Sequence, residues 1–454
     1  MRLPTYEAYK DSGFEWLQRV PSHWKIKRLR FVANLNPSKA ELAEIDRATD
    51  VSFLPMEAIG DDGSINVERT RPISEVETGY TYFRDGDVTI AKITPCFENG
   101  KGALMRGLEA GIGFGTTELI VARPKPSEVL GSFLNWTFRA PNFRSQGEAS
   151  MYGAGGQKRV PDDFVRDFSW SFPPLIEQSA ITAFLDRETA KIDTLIAEQK
   201  KLLTLLAEKR QATISRAVTK GLNPDAPMKD SGVEWLGEVP ENWEIKQLRH
   251  VAKIVRGASP RPAGDPRFFS EDSDGNTPWV TVAEVTKDTD TYLETVKEYL
   301  TPLGVEQSQT FESGTLVFTN SGATLGVPKI LAIDCCANDG ILAFRDLAPN
   351  ISIVFAYSFL LTTTERLRTE MKQGGGQPNL NTEIVKNIRF ALPPLNEQLE
   401  IVDFLSQELA RLNKLALEAD NGIALLKERR SALISAAVTG QIDVRNAVSE
   451  ATTV

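Results

Sequence analysis

The sequence predicts an α+β fold. Two mixed α/β domains form a pseudo-two-fold tandem repeat, each domain is followed by a long helix, and the two helices pair along a coiled-coil seam. Three observations predict this: an internal repeat, a heptad pattern and glycine-punctuated β-rich inserts. The repeat comes first, because self-similarity at a fixed offset decides architecture. DSGFEWLQRVPSHWKIKRLRFVA at residues 11–33 returns as DSGVEWLGEVPENWEIKQLRHVA at 230–252. FPPLIEQSAITAFLDRETAKID from Phe172 returns as LPPLNEQLEIVDFLSQELARLN from Leu392, and EKRQATISRAVT from Glu208 as ERRSALISAAVT from Glu428. GGQKRVP from Gly155 is matched by GGQPNLN from Gly375. Four segments recurring in one order make the chain two copies of one unit.

In order along the chain, residues 1–172 read as a first domain with its junction segment and 173–220 as a long helix. Residues 221–391 read as the second domain and junction, 392–440 as the second helix and 441–454 as a tail. The stretches 34–154 and 253–374 share little beyond runs such as GDVTIAKI from Gly86 and GTLVFTNSGATLG from Gly314. Short β-rich runs separated by glycine and proline predict compact mixed or β-rich inserts. Pro173-Pro174 and Pro393-Pro394 mark helix starts, since proline gives up a donor that a first turn leaves unpaired. Leu185, Ile192, Gln199, Leu206 and Thr213 then fall seven apart, with Ile196, Leu203 and Arg210 between. Leu405, Leu412, Ala419, Leu426 and Leu433 repeat the spacing, with Ala416, Ile423 and Arg430 between, which predicts a coiled-coil seam. Gly221 and Gly440 close the two helices.

Composition narrows the function. The 454 residues are 41% hydrophobic and 25% charged, as in a globular protein of several domains. No apolar run is long enough to span a bilayer, and MRLPTYEAYKDSG has no apolar leader core, so the expected location is cytoplasmic, with no membrane partner. Cys96, Cys335 and Cys336 lack metal-ligand spacing and read as ordinary small residues. His23 and His250 are the only histidines and lie in the repeated framework, so neither insert has a histidine base. There is no phosphate loop, nucleophile elbow or HExxH. The chain is therefore expected to make and break no bonds and to hold no cofactor or metal. The net charge of −9 runs against the basic footprint of a nucleic-acid binder but does not exclude a basic face.

The pattern resembles the DNA-specificity subunit (HsdS) of type I restriction–modification enzymes. It does so through GxEWLxxVPxxW at Gly13–Trp24 and Gly232–Trp243, PPLxEQ at Pro173 and Pro393, and the helix ends ISRAVTKG and ISAAVTGQ. The resemblance covers nearly the whole chain. It implies two target-recognition domains separated by two antiparallel helices. It also implies double-stranded DNA as ligand and assembly with two methyltransferase subunits, which bind S-adenosylmethionine and methylate adenine. Restriction subunits using ATP and magnesium can add to that complex. Unlike inserts then predict an asymmetric target of two short blocks around an unread spacer.

Phosphate and base-edge contacts favour Arg, Lys, Asn, Gln and small hydroxyl residues. The first domain offers Lys92, Thr94, Asn99, Lys101, Gln157, Lys158 and Arg159. The second domain offers Arg256, Ser259, Arg261, Asn320, Ser321, Thr324, Gln373, Gln377 and Asn379. Trp16, Trp24, Trp235 and Trp243 are expected to clamp each domain to the helix ends by apolar area. A rival reading is a tandem-repeat coiled-coil adaptor that binds protein and no DNA.

Overall fold

The computed structural model describes residues 4–154, 156–322, 324–372 and 380–447. The chain forms two compact units, Met1–Lys200 with Asp420–Val454, and Lys201–Ala419. The division falls inside both long helices, Leu175–Lys220 and Leu395–Val438, so each unit owns one insert and a segment of each helix.

In the first unit the insert builds two four-stranded sheets. One runs Thr70–Pro72, Asp50–Leu54, Ile112–Gly115, Thr81–Arg84, with the middle pair parallel. The other runs Ala33–Leu35, Leu119–Pro124, Val88–Ala91, Gly102–Leu104 and is antiparallel throughout. The runs VTIA and LIVA are buried at every position, as strands covered on both faces are. Gly113 is small of necessity: a Cβ there would lie 2.2 Å from the Phe83 ring.

The second unit repeats this topology in an unlike sequence. Glu298–Leu300, Thr277–Val280, Cys335–Ala337 and Thr310–Phe311 follow one another in a sheet whose middle pair is again parallel. Lys253–Arg256, Ile341–Arg345, Leu316–Thr319 and Pro328–Leu331 form the antiparallel counterpart. Each sheet gains one edge strand, Phe269–Ser270 and Tyr292–Leu293. Cys335 and Cys336 are buried strand residues, and burial pushes the Cys335 thiol up to about 12.

The repeated framework segments build one junction twice. Trp24 and Trp243 are fully buried, and their indole N–H groups donate to Glu177 at 2.8 Å and Glu397 at 2.9 Å, the glutamates of PPLxEQ. His23 and Asn242, one residue earlier, bind the second oxygen of the same glutamates at 2.8 and 3.1 Å. The adjacent glutamines, Gln178 and Gln398, are also fully buried. Their amide oxygens accept from Leu130 and Ser352 N–H, both at 2.8 Å, at the starts of the helices Gly131–Arg139 and Ile353–Lys372. Their amide nitrogens donate to the carbonyls of Pro173 and Pro393. The Glu therefore binds the junction segment and the Gln binds the insert, which anchors both to the first turn of a long helix. Trp16 stacks on Phe168 with ring centroids 4.5 Å apart, and Trp235 packs against Phe359. The tryptophans are thus packed as clamps.

Within each unit the two helix segments run antiparallel. In the first, Ile181 and Leu185 share a core with Ile434, Ala437 and Val438, and Arg430 holds Asp193 through Nε at 2.9 Å. In the second, Ile214 and Val218 share a core with Ile401 and Leu405, and Arg210 donates to Asn413 at 2.6 Å. Leu185, Ile192, Ile196 and Leu206 are buried on the first helix, and Leu405, Leu412, Ala419 and Ile423 on the second, so the heptad seam is the covered stripe. Gly440 has φ +75°, and a Cβ on it would meet Pro21 at 2.4 Å, so the helix end and the Trp24 segment close on each other.

Candidate nucleic-acid interface

Three stretches meet at one place in each unit: the exit of a central strand, the turn entering its neighbour, and the end of the glycine-rich loop. Lys92 follows Val88–Ala91; its N–H donates to the Glu118 carbonyl and its carbonyl accepts from Val160 N–H, both at 2.8 Å. Asn320 follows Leu316–Thr319; its N–H donates to the Gly340 carbonyl at 2.9 Å and its carbonyl accepts from Leu380 N–H at 2.7 Å. Lys92 and Asn320 therefore occupy one backbone position with different side chains. Val160 and Leu380 also correspond in GGQKRVP and GGQPNLN.

In the first unit, Thr94 N–H donates to the Lys158 carbonyl at 3.0 Å. Arg159 grips Glu118 with two parallel bonds of 2.9 and 2.7 Å, and these hold the Glu118 carboxyl below the usual carboxylate range. The Lys92 amine lies 3.7 Å from Asp162. Asn99, Gln157 and Lys158 are exposed. The Lys101 amine is committed inward and donates to the Met56 carbonyl at 2.9 Å.

In the second unit four of the sequence-predicted residues converge on Asp339. Its carboxylate accepts from the Ser259 hydroxyl at 2.8 Å and from Arg261 at 3.4 Å. Its backbone carbonyl accepts from Arg256 Nε and, at 3.5 Å, from the Asn320 amide. Arg256 and Arg261 stay exposed, whereas Asn320 is buried, with Oδ1 lacking a partner among the described residues. Ser321 and Thr324 are half-buried beside them, and the Thr324 carbonyl accepts the Thr319 hydroxyl. Gln373, Gln377 and Asn379 lie outside the described residues. Sequence reasoning missed Asp339 and Glu118, the acids that aim the arginines. The signal for Asp339 was Asn338-Asp339-Gly340, turn chemistry directly before the strand Ile341–Arg345.

The arrangement presents aimed guanidinium, ammonium and amide donors, the groups that bind phosphates and base edges. Among the described residues no His, Cys, Asp and Glu group could hold a metal ion, and no helix is long and apolar enough to cross a membrane.

Residues 240–420 match the family model for the type I restriction modification DNA specificity domain. The chain is 37% identical over 227 residues to the type I restriction enzyme EcoEI specificity subunit of Escherichia coli, a match of 49% of this chain and 35% of that protein. It is 38% identical to the EcoAI specificity subunit of the same organism, over 49% of this chain and 36% of that one. It therefore spans about a third of the length of these two relatives. The HsdS subunit from Thermoanaerobacter tengcongensis superposes with a TM-score of 0.57 at 19% identity, covering 93% of this chain and 98% of that one. A chain solved in work on complex assembly and conformational transition of the type I R-M system superposes at 0.77 and 19% identity, over 92% and 98%. At that identity the likeness speaks for the fold. Together, the matched domain at residues 240–420 and the shared fold make the chain similar to the specificity subunits of type I restriction–modification enzymes.

Proposed function

We propose that the chain is the non-catalytic subunit that chooses the DNA target of a type I restriction–modification complex, reading a bipartite, asymmetric site with its two inserts. One observation carries this: two domains of one strand topology surround matched backbone positions with unlike side chains, Lys92, Lys158 and Arg159 in the first and Arg256, Ser259 and Arg261 in the second. Equal scaffolds with unequal reading residues make two heads for two different blocks. The first reads through Lys92, Thr94, Asn99, Gln157, Lys158 and Arg159. The second reads through Arg256, Ser259, Arg261, Ser321 and Thr324, with Gln373, Gln377 and Asn379 from the loop. Lys101 and Asn320 support the backbone around them.

The long helices hold the heads at a fixed spacing. Their 46 and 44 residues span about 69 and 66 Å at ~1.5 Å per residue. Exposed Leu195, Leu202, Leu415, Leu417 and Leu425 give them apolar area for partners. A framework repeated about a pseudo-dyad docks two methyltransferase subunits, which supply S-adenosylmethionine. Restriction subunits with ATP and magnesium complete the complex, whose place is the cytoplasm.

An electrophoretic shift with the chain and its methyltransferase partner tests this reading. The complex should retain one duplex sequence against excess random duplex, and retention should weaken steeply with salt as phosphate contacts release counterions. An adaptor that never touches DNA would shift neither.

A further inference from the structure

The repeat lets one unit show what the other leaves open. In the first unit the chain runs on past Gly440, and residues 441–447 lie back over the paired helices. Gln441 and Ile442 N–H donate to the Ala436 carbonyl at 2.8 and 3.3 Å, and Arg187 Nη2 donates to the Ala447 carbonyl at 3.1 Å. Val444 is fully buried in the core that also holds Phe184, Ile434 and Ala437, and Leu433 packs against that core. Phe184 is left 3% exposed.

The second unit has no described segment in that place. Gly221 ends its helix at positive φ as Gly440 does, but the chain passes straight into the junction segment. The Pro227 carbonyl accepts Glu241 N–H at 2.8 Å as the Ala8 carbonyl accepts Ser22 N–H at 3.0 Å, so residues 223–227 match 4–8. Phe404, the counterpart of Phe184 in the repeated segment, is 40% exposed. It borders a groove of about 260 Å³ with Leu222, Thr213, Lys209, Arg216 and Glu408. Glu408 is held by Arg411 at 2.7 Å, whereas Lys209 and Arg216 are exposed with no acidic partner among the described residues. Arg216 stands where the first unit has Ala436, and Thr213 where it has Leu433. The open groove is therefore more basic and more polar than its covered counterpart.

We propose that this groove docks a short acidic peptide segment of a partner protein, seated as residues 441–447 are in the first unit. A β-branched side chain fills the space beside Phe404 and Leu222, as Val444 is buried in the core of Phe184. Carboxylates on the same segment meet Lys209 and Arg216, which selects an acidic partner over a neutral one. A second copy of this chain has its own tail already seated in its own first unit and has none to offer. None of the DNA-reading residues named above lines the groove.

The test is fluorescence anisotropy of the full chain with a labelled peptide of residues 441–447, in which Arg445→Glu supplies a second carboxylate. The anisotropy should rise saturably, and the unaltered peptide should bind more weakly. Lys209→Glu combined with Arg216→Glu should weaken the acidic peptide by about tenfold or more. Phe404→Ala should abolish binding with Tm unchanged, since both charges and the ring are exposed in the wild type. Sedimentation of the chain alone, at the same concentrations, should show a monomer whose groove is free. The proposal is overturned if the acidic peptide does not bind or if the unaltered peptide binds as tightly. Binding that survives Phe404→Ala would mean displacement of the tail in the first unit, and would also overturn it. So would a dimer that Phe404→Ala dissolves, because the occupant would then be a second copy.

Discussion

Single residues explain why particular letters recur. Glu177 is 5% exposed and receives Trp24, Tyr6 and His23; Glu397 receives Trp243 and Asn242. Removing a shared acceptor leaves each buried donor unsatisfied at about 1–3 kcal/mol. Glu177→Ala should therefore lower the urea midpoint more than Glu397→Ala, and Glu177→Gln should cost less than either because it keeps an oxygen. Equal loss from all three would deny the junction its polar anchor. At the reading edge, Arg256→Ala and Arg261→Ala should relax one block of the target by about 1–3 kcal/mol per base contact and leave the other block unchanged. Competition binding against single-base variants of the target measures this. The junction was legible in the sequence because its partners, PPLxEQ and the second tryptophan, both recur. The convergence on Asp339 was not, because four residues between 256 and 339 meet only once strand pairing is known.

Among the elements, helices and strands differed in how well they could be read. A seven-residue period needs no distant partner to be visible, and the seam it marks is the buried stripe of both helices. The sheets depend on pairings far apart in sequence, such as the parallel register of Gly113 on Ser52. Nothing local distinguishes a parallel from an antiparallel neighbour in so short a run, so the shared topology of the two inserts stayed hidden behind their dissimilar sequences. In the proposed function the helices act as the ruler. One extra heptad after both Leu203 and Ile423 keeps the seam in phase and adds about 10.5 Å to each helix, roughly three base pairs of DNA. The spacer should lengthen by one to three base pairs while both blocks stay the same. Binding should weaken, because three pairs rotate the groove by roughly 100° whereas a heptad turns the helix face by only about 20°. A functional variant with the original spacer would show that the helices do not set the distance.

For the molecule as a whole, the repeat implies a ring-like order of segments, and the first unit closes that order. Asp443 N–H donates to the Pro4 carbonyl at 2.8 Å, and the Tyr9 hydroxyl donates to the Gly440 carbonyl at 3.0 Å. A circular permutant that joins the termini and opens the linker at residues 222–227 should fold with unchanged circular dichroism and still bind the proposed methyltransferase partner. Loss of either would mean that the covalent link at the second junction does something the first junction lacks. The central claim is that this chain alone chooses the target, one block per insert. Mapping methylated adenines across the genome of a cell carrying the chain with its methyltransferase partner tests it most directly. The account predicts a single motif of two short, different blocks around a spacer of fixed length and unspecified sequence. A palindromic or continuous motif, or a motif unchanged when the chain is deleted, would contradict it.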